Sequence, residues 1–175
     1  MDIVAELEQV VRTIPDFPKP GIQFKDITPI LSDPILLHQA VEALAAPYQD
    51  DGITKVIGIE ARGFILGAML AHHLGAGFVP VRKRGKLPYE TVTVEYALEY
   101  GADVIEMHID AIEPHDRVLI HDDVIATGGT AAACYTLAHH SGAEVVGYAF
   151  LMELGFLGGR NVLQDGLRVH SVLMG

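Results

Sequence analysis

The sequence predicts an α/β fold: a mostly parallel, twisted sheet with helices on both faces, in a single domain spanning residues 1–175. Two observations predict it. Residues 55–59, 78–81, 117–121 and 145–152 are short, apolar, β-prone runs, as strands buried on both faces require. Between several of them lie longer segments with helical character, and alternating strands and helices wind into a parallel sheet. Right-handed crossovers then bring the carboxyl ends of the strands to one edge, where ligands bind.

Each element follows from local chemistry. Residues 2–13 place Ile3, Val4, Leu7, Val10 and Val11 on one helical face. Residues 14–21 contain three prolines and are expected to form an ordered irregular segment. Ser32-Asp33-Pro34 combines a cap residue with proline in the first turn, so a helix starts there and runs to about Ala46. A strand at 55–59 and a helix at 64–74 follow, then a strand at 78–81. Residues 87–97 are mixed, and 91–94 alternate like an exposed ribbon. Strands at 104–108 and 117–121 precede a helix at 130–140, which Ser141-Gly142 stops. Strands at 145–152 and 167–173 complete the chain.

Composition narrows the function classes. With 12 basic and 23 acidic residues the net charge is −11, which argues against nucleic acid or an anionic membrane as partner. No apolar run reaches the roughly 18 residues of a membrane span, and the first residues lack a signal peptide's basic start and apolar run. The one cysteine, Cys134, excludes an internal disulfide and fits a reducing compartment. It is expected to be a packed small hydrophobe. Arg82, Lys83, Arg84 and Lys86 concentrate positive charge in an acidic chain, as a polyphosphate site would. The pairs His72-His73 and His139-His140 are poor metal ligands, because adjacent helical residues point about 100° apart.

The most specific stretch is Val118-Leu119-Ile120-His121-Asp122-Asp123-Val124-Ile125-Ala126-Thr127-Gly128-Gly129-Thr130. It reads as a buried strand ending in two carboxylates, then a small-residue loop opening a helix. In Thr127-Gly128-Gly129-Thr130 the small side chains let backbone N–H groups approach an anion, two hydroxyls can add hydrogen bonds, and the helix adds its positive end. Hydrogen bonds to a charged group are worth roughly 1.5–3 kcal/mol each, enough together to hold a phosphate without lysine. Asp122 and Asp123 beside that loop can accept hydrogen bonds from a sugar diol. Phosphate next to diol points to ribose 5-phosphate. Competing phosphate-loop, dinucleotide and nucleophile-elbow signatures are absent from the sequence.

Residues 117–133 resemble the phosphoribosyl pyrophosphate motif of the type I phosphoribosyltransferases. Four further segments resemble the adenine-using members of that family: 16–29, Glu60-Ala61-Arg62-Gly63-Phe64, 82–88, and Leu98-Glu99-Tyr100-Gly101. The resemblance implies the family's sheet fold with a small N-terminal hood at about 14–30 and a mobile flap at about 82–96. It implies transfer of the phosphoribosyl group from phosphoribosyl pyrophosphate to adenine, giving AMP and pyrophosphate in purine salvage. In that scheme Arg62 touches pyrophosphate as a catalytic residue, and Arg82 and Lys86 close over it. Phe24 stacks on the base, Lys25 and Gln23 read its edge through the main chain, and Tyr100 orients base or flap. Glu99 is the implied acid–base group. Ala126 to Thr130 hold the 5-phosphate, and Asp122 and Asp123 the ribose hydroxyls. Mg²⁺ is the implied cofactor. It is held mainly by pyrophosphate, with the two aspartates reaching it through water rather than as direct ligands. A homodimer is implied as well. Lys25 and Gln23 depart from the family's usual arginine and aliphatic residue, and His121 stands where an aliphatic is usual. Two alternatives stay open: transfer to another purine such as hypoxanthine or guanine, and a phosphoribosyl pyrophosphate-binding regulator of nucleic-acid binding.

Overall fold

In the computed structural model, which describes residues 3–98 and 101–175, two layers of helices sandwich one sheet. The seven-stranded sheet has the order β5-β6-β4-β3-β7-β8-β9. Its strands are β3 (Lys55–Ile59), β4 (Gly77–Lys83), β5 (Thr91–Ala97), β6 (Ala102–His108), β7 (Arg117–Ile125), β8 (Glu144–Glu153) and β9 (Arg168–Met174). β4, β3, β7, β8 and β9 run parallel. β5 and β6 extend the sheet antiparallel beyond β4. The α/β reading of the sequence therefore holds, with an antiparallel extension at one edge.

The helices divide between the faces. α1 (Ile3–Val10), α2 (Thr28–Ser32), α3 (Pro34–Ala45) and α4 (Gly63–His73) pack on one face, around Leu7, Ile30, Leu44, Leu66, Leu70 and Leu119. α5 (Gly129–His140) covers the other, around Ile57, Ile120, Cys134, Leu137 and Phe150. α3 begins as its sequence demands: the Asp33 carboxylate accepts the N–H groups of Ile35 and Leu36 at 2.8 and 3.0 Å, and Pro34 opens the first turn. Cys134 is fully buried, as expected of a small hydrophobe, and burial pushes its thiol pKa well up.

Three expectations need correction. The first helix ends at Val10 and not at Thr13, because the chain turns extended at β1 (Arg12–Pro15). Thr13 and Ile14 are β-branched, and Pro15 disfavours helix at the residue before it. The N-terminal segment is also more regular than its prolines suggest. β1 pairs antiparallel with β2 (Gln23–Asp26), placing Ile14 opposite Phe24, and two of the three prolines fall in the connection. Finally, β7 continues four residues past His121 to Ile125, so the two aspartates lie inside the strand and not after it. Pairing with β8 sustains that extension, with Asp122 opposite Phe150 and Val124 opposite Met152.

Candidate active site

β7 ends against a wall that fixes the loop after it. Gly128 adopts φ of +82°, and a Cβ there would stand 2.2 Å from the Gly159 carbonyl oxygen and 2.7 Å from Val162. Glycine alone permits both the left-handed backbone and the approach. Leu154 ties the wall to the strand, its N–H donating to the Ile125 carbonyl at 3.0 Å. α5 starts directly afterwards, with Ala132 N–H bonded to the Gly128 carbonyl at 3.0 Å. The earlier amides of the first turn lack intrahelical acceptors and add to the positive end of the helix. Residues 124–131, Asp122 and Phe150 line a cavity of about 100 Å³ at this point. Thr130 closes one side by donating its hydroxyl to Tyr96 Oη at 3.1 Å.

The acidic pair sits where β7 loses a neighbour. Its ladder with β3 ends at the pair Gly58–His121, leaving that edge of the strand open from Asp122 onward. Successive strand side chains point apart. Asp122 lines the loop cavity and a second cavity of about 120 Å³, shared with Glu60, Arg82, Tyr96 and Thr130. Asp123 is buried on the other side, its Oδ2 2.9 Å from Arg62 Nε but off the N–H direction, so the contact is an ion pair without a hydrogen bond. Asp122 Oδ1 accepts the Asp123 N–H at 2.8 Å. Burial, and then the charge of Asp123, push the Asp122 carboxyl well above the ordinary range.

Arg62 links this pair to the hood. It follows β3 and a cis Glu60–Ala61 peptide, and its guanidinium lies 4.9 Å from the centre of the Phe24 ring. That is cation–π geometry. Phe17 packs edge-on against Phe24 at 5.1 Å. Lys25 turns back into the hood, donating from Nζ to Thr13 Oγ1 at 3.1 Å. Gln23 is exposed.

The cation cluster divides. Arg82 donates from Nε to Glu60 Oε2 at 2.6 Å and from Nη1 to the Lys86 carbonyl at 3.3 Å, while its guanidinium faces Phe64. Lys83 pairs instead with Asp103 at 3.1 Å. The loop that carries Lys86 is fastened to Glu106 of β6, whose Oε1 accepts the N–H groups of Lys86 and Leu87 at 3.0 and 2.8 Å. Burial raises the Glu106 carboxyl pKa, but backbone N–H groups of Leu87, Gly85 and Lys86 outweigh it and leave the group below its ordinary value.

Phe24, Arg62, Arg82, Asp122, Asp123 and residues 126–130 thus gather at the carboxyl edge of the sheet, with Lys86 joined through Arg82. Glu99 and Tyr100 lie outside the described residues. Sequence reasoning missed Tyr96, Gly159 and Glu106. The strand run Val104-Ile105-Glu106-Met107 did carry a signal, a carboxylate in apolar company; Tyr96 and Gly159 carried none. Beneath the site His121 is fully buried, its Nδ1 2.9 Å from the Ala149 carbonyl, and burial lowers its pKa to about 4. Its Nε2 has no partner among the described residues. The ring fits because α4 brings Gly67 against it: a Cβ at Gly67 would stand 3.2 Å from His121 Cδ2.

A glycine loop at a helix start, a carboxylate pair and nearby guanidinium groups share the carboxyl edge of the sheet, the layout that suits an α/β protein to phosphorylated ligands. A phosphoribosyl transferase domain is matched over residues 30–158. The adenine phosphoribosyltransferase of Acidothermus cellulolyticus is 58% identical over 163 residues, covering 93% of this chain and 92% of the relative. The crystal structure of adenine phosphoribosyltransferase from Rhodothermus marinus is 65% identical, with a TM-score of 0.95 over 99% of this chain and 98% of that one. The Saccharomyces cerevisiae enzyme, crystallised with an imino-altritol bisphosphate and adenine, is 41% identical with a TM-score of 0.92, over 98% of both chains. The chain belongs to the phosphoribosyltransferase family, among its adenine phosphoribosyltransferases.

Proposed function

We infer that the protein transfers the 5-phosphoribosyl group from phosphoribosyl pyrophosphate to adenine, giving AMP and pyrophosphate in purine salvage. The observation that carries this reading is the meeting of Phe24, Arg62, Arg82 and the 126–130 loop at one sheet edge, in a chain 65% identical to a solved adenine phosphoribosyltransferase. The adenine in the yeast structure supports the choice of base.

The chemistry asks for four things: a held sugar phosphate, a neutralised leaving group, an oriented base and little water. The amides of 126–130 hold the 5-phosphate. Asp122 and Asp123 take the ribose hydroxyls from opposite sides of β7. Arg62, Arg82 and Lys86 meet the charge that grows on departing pyrophosphate. Phe24 offers an aromatic face to adenine, Gln23 and Lys25 read the base edge through main-chain groups, and Arg62 also stands against that ring. Glu99 manages the proton on the purine as the ring nitrogen attacks C1, and Tyr100 orients base or flap. The hood and the flap at 82–96 are parts of one domain that close around the substrates.

Mg²⁺ fits as a companion of the polyphosphate. Among the described residues no group of three His, Cys, Asp or Glu side chains is placed to hold an ion. Asp123 faces Arg62, and Asp122 is pushed toward its protonated form. Both aspartates suit contact through water better than direct ligation. Bound to pyrophosphate oxygens, the ion supplies charge neutralisation for the leaving group. We further read the enzyme as a cytoplasmic homodimer. The family resemblance and a lone, buried cysteine support this, and no described helix is long and apolar enough to cross a membrane.

The test is AMP formation from adenine, phosphoribosyl pyrophosphate and Mg²⁺, with hypoxanthine and guanine in parallel. Turnover with adenine alone is expected. Turnover only with another purine would overturn the base assignment, and binding without turnover would favour a regulator. Sedimentation tests the dimer.

A further inference from the structure

Glu106 has no part in the transfer chemistry above, yet it is a carboxylate only 3% exposed at the root of the cation loop. It stands opposite Arg82 in the antiparallel ladder between β4 and β6. Directly paired opposite charges on a sheet normally meet. Here Arg82 sends its Nε to Glu60 instead. Glu106 turns to the main chain, accepting the N–H groups of Lys86 at 3.0 Å and Leu87 at 2.8 Å on one oxygen, while its other oxygen lies 3.5 Å from Thr91 Oγ1. Lys86 is then held at both main-chain groups: its N–H by Glu106, its carbonyl by Arg82 Nη1 at 3.3 Å. A buried anion bonded to consecutive amides fixes a loop more firmly than neutral acceptors do, since charge-assisted hydrogen bonds are roughly twice as strong.

We propose that Glu106 is a positioning residue for pyrophosphate: by fixing the main chain of Lys86, whose carbonyl Arg82 also holds, it presets the spacing of the two cations that receive the leaving group. The proposal rests on the reading of Arg82 and Lys86 as pyrophosphate ligands. A lysine on an unfastened loop must lose main-chain as well as side-chain freedom when it binds. Glu106 removes the first of those costs before substrate arrives. Among the described residues the 5-phosphate loop shares no hydrogen bond with this clasp, so ligands held there alone are indifferent to it.

The decisive experiment is calorimetric titration of the full chain, wild type and Glu106→Gln, with magnesium pyrophosphate and separately with AMP. Glutamine keeps the shape and one acceptor but loses the charge. Affinity for pyrophosphate is expected to fall about tenfold, with AMP affinity unchanged within about twofold. In turnover, KM for phosphoribosyl pyrophosphate rises while KM for adenine does not. Unchanged pyrophosphate affinity, or an equal loss for both ligands, overturns the proposal alone. A wild type that binds neither ligand overturns the transferase reading with it. Leu87→Pro deletes the 2.8 Å donor from a loop outside the core and leaves the buried carboxylate in place. It is expected to reproduce the selective loss, and full pyrophosphate affinity in that variant also contradicts the proposal.

Discussion

On the proposed reading, the protein meets anionic phosphate in two places built on opposite plans. The loop at 126–130 contains no cation: it offers amides, two threonine hydroxyls and a helix end, pressed against Gly159 and Val162. The segment from Arg82 to Leu87 uses long cationic side chains, steadied by Glu60 and Glu106 from outside. The difference matches the fate of the two groups. The 5-phosphate stays on the sugar throughout, so a rigid neutral cradle can hold it alike before and after reaction. Pyrophosphate gains charge and leaves, so its partners must strengthen in the transition state and then let go.

Breaking the rigid half has the largest expected effect. Gly128→Ala forces a side chain onto a positive-φ backbone and into the Gly159 carbonyl, costing about 3 kcal/mol of stability. The displaced cradle lowers turnover about a hundredfold; denaturant unfolding and AMP formation check both.

Acid attacks the same half through His121. Its folded pKa of about 4 lies below the 6.5 of the free side chain, so the unfolded chain binds the proton first. Stability from the neutral ring is complete above about pH 6.5 and is lost as pH falls toward 4, by about 3 kcal/mol in all. The comparison of unfolding free energies at pH 7 and 4 for wild type and His121→Leu isolates this group. The variant is expected to lose about 3 kcal/mol less, and parallel curves would remove the buried ring from the account.

Arg62 belongs to the cationic plan but is anchored like the other, by Asp123 and the face of Phe24. Arg62→Lys keeps the charge and loses the planar group that stacks and forks. We expect kcat/KM to fall about thirtyfold, roughly 2 kcal/mol of transition-state stabilisation, read in steady-state kinetics with phosphoribosyl pyrophosphate varied.

The smallest effect is at the join. Tyr96→Phe removes the hydroxyl to which Thr130 donates at 3.1 Å. The lost bond is worth about 1 kcal/mol, visible in unfolding, with activity kept within about threefold.

The two plans also differ in how plainly the sequence announces them. Backbone recognition needs small residues in unbroken order after a strand, so 126–130 and the helix behind it are legible directly. Asp122 and Asp123 are legible as a pair whose adjacent side chains point apart, but not the length of the strand that carries them, because β7 reaches Ile125 only by pairing with β8. The central strands were clear because burial on both faces leaves one apolar pattern. The hood hairpin was obscured by prolines that prove to lie mainly in its connection. Contacts made across the sheet were the hardest to foresee. Nothing local in 82–88 names Glu106, and nothing local in 126–130 names Tyr96 or Gly159; the fold brings each from a distant part of the chain.

The division of labour between the two plans is tested most directly by crossed titrations of AMP and magnesium pyrophosphate. The proteins are wild type, the pair Thr127→Ala with Thr130→Ala, and the pair Arg82→Ala with Lys86→Ala. The threonine pair is predicted to weaken AMP and spare pyrophosphate, and the cation pair to do the reverse. Equal weakening of both ligands by either pair would contradict the account.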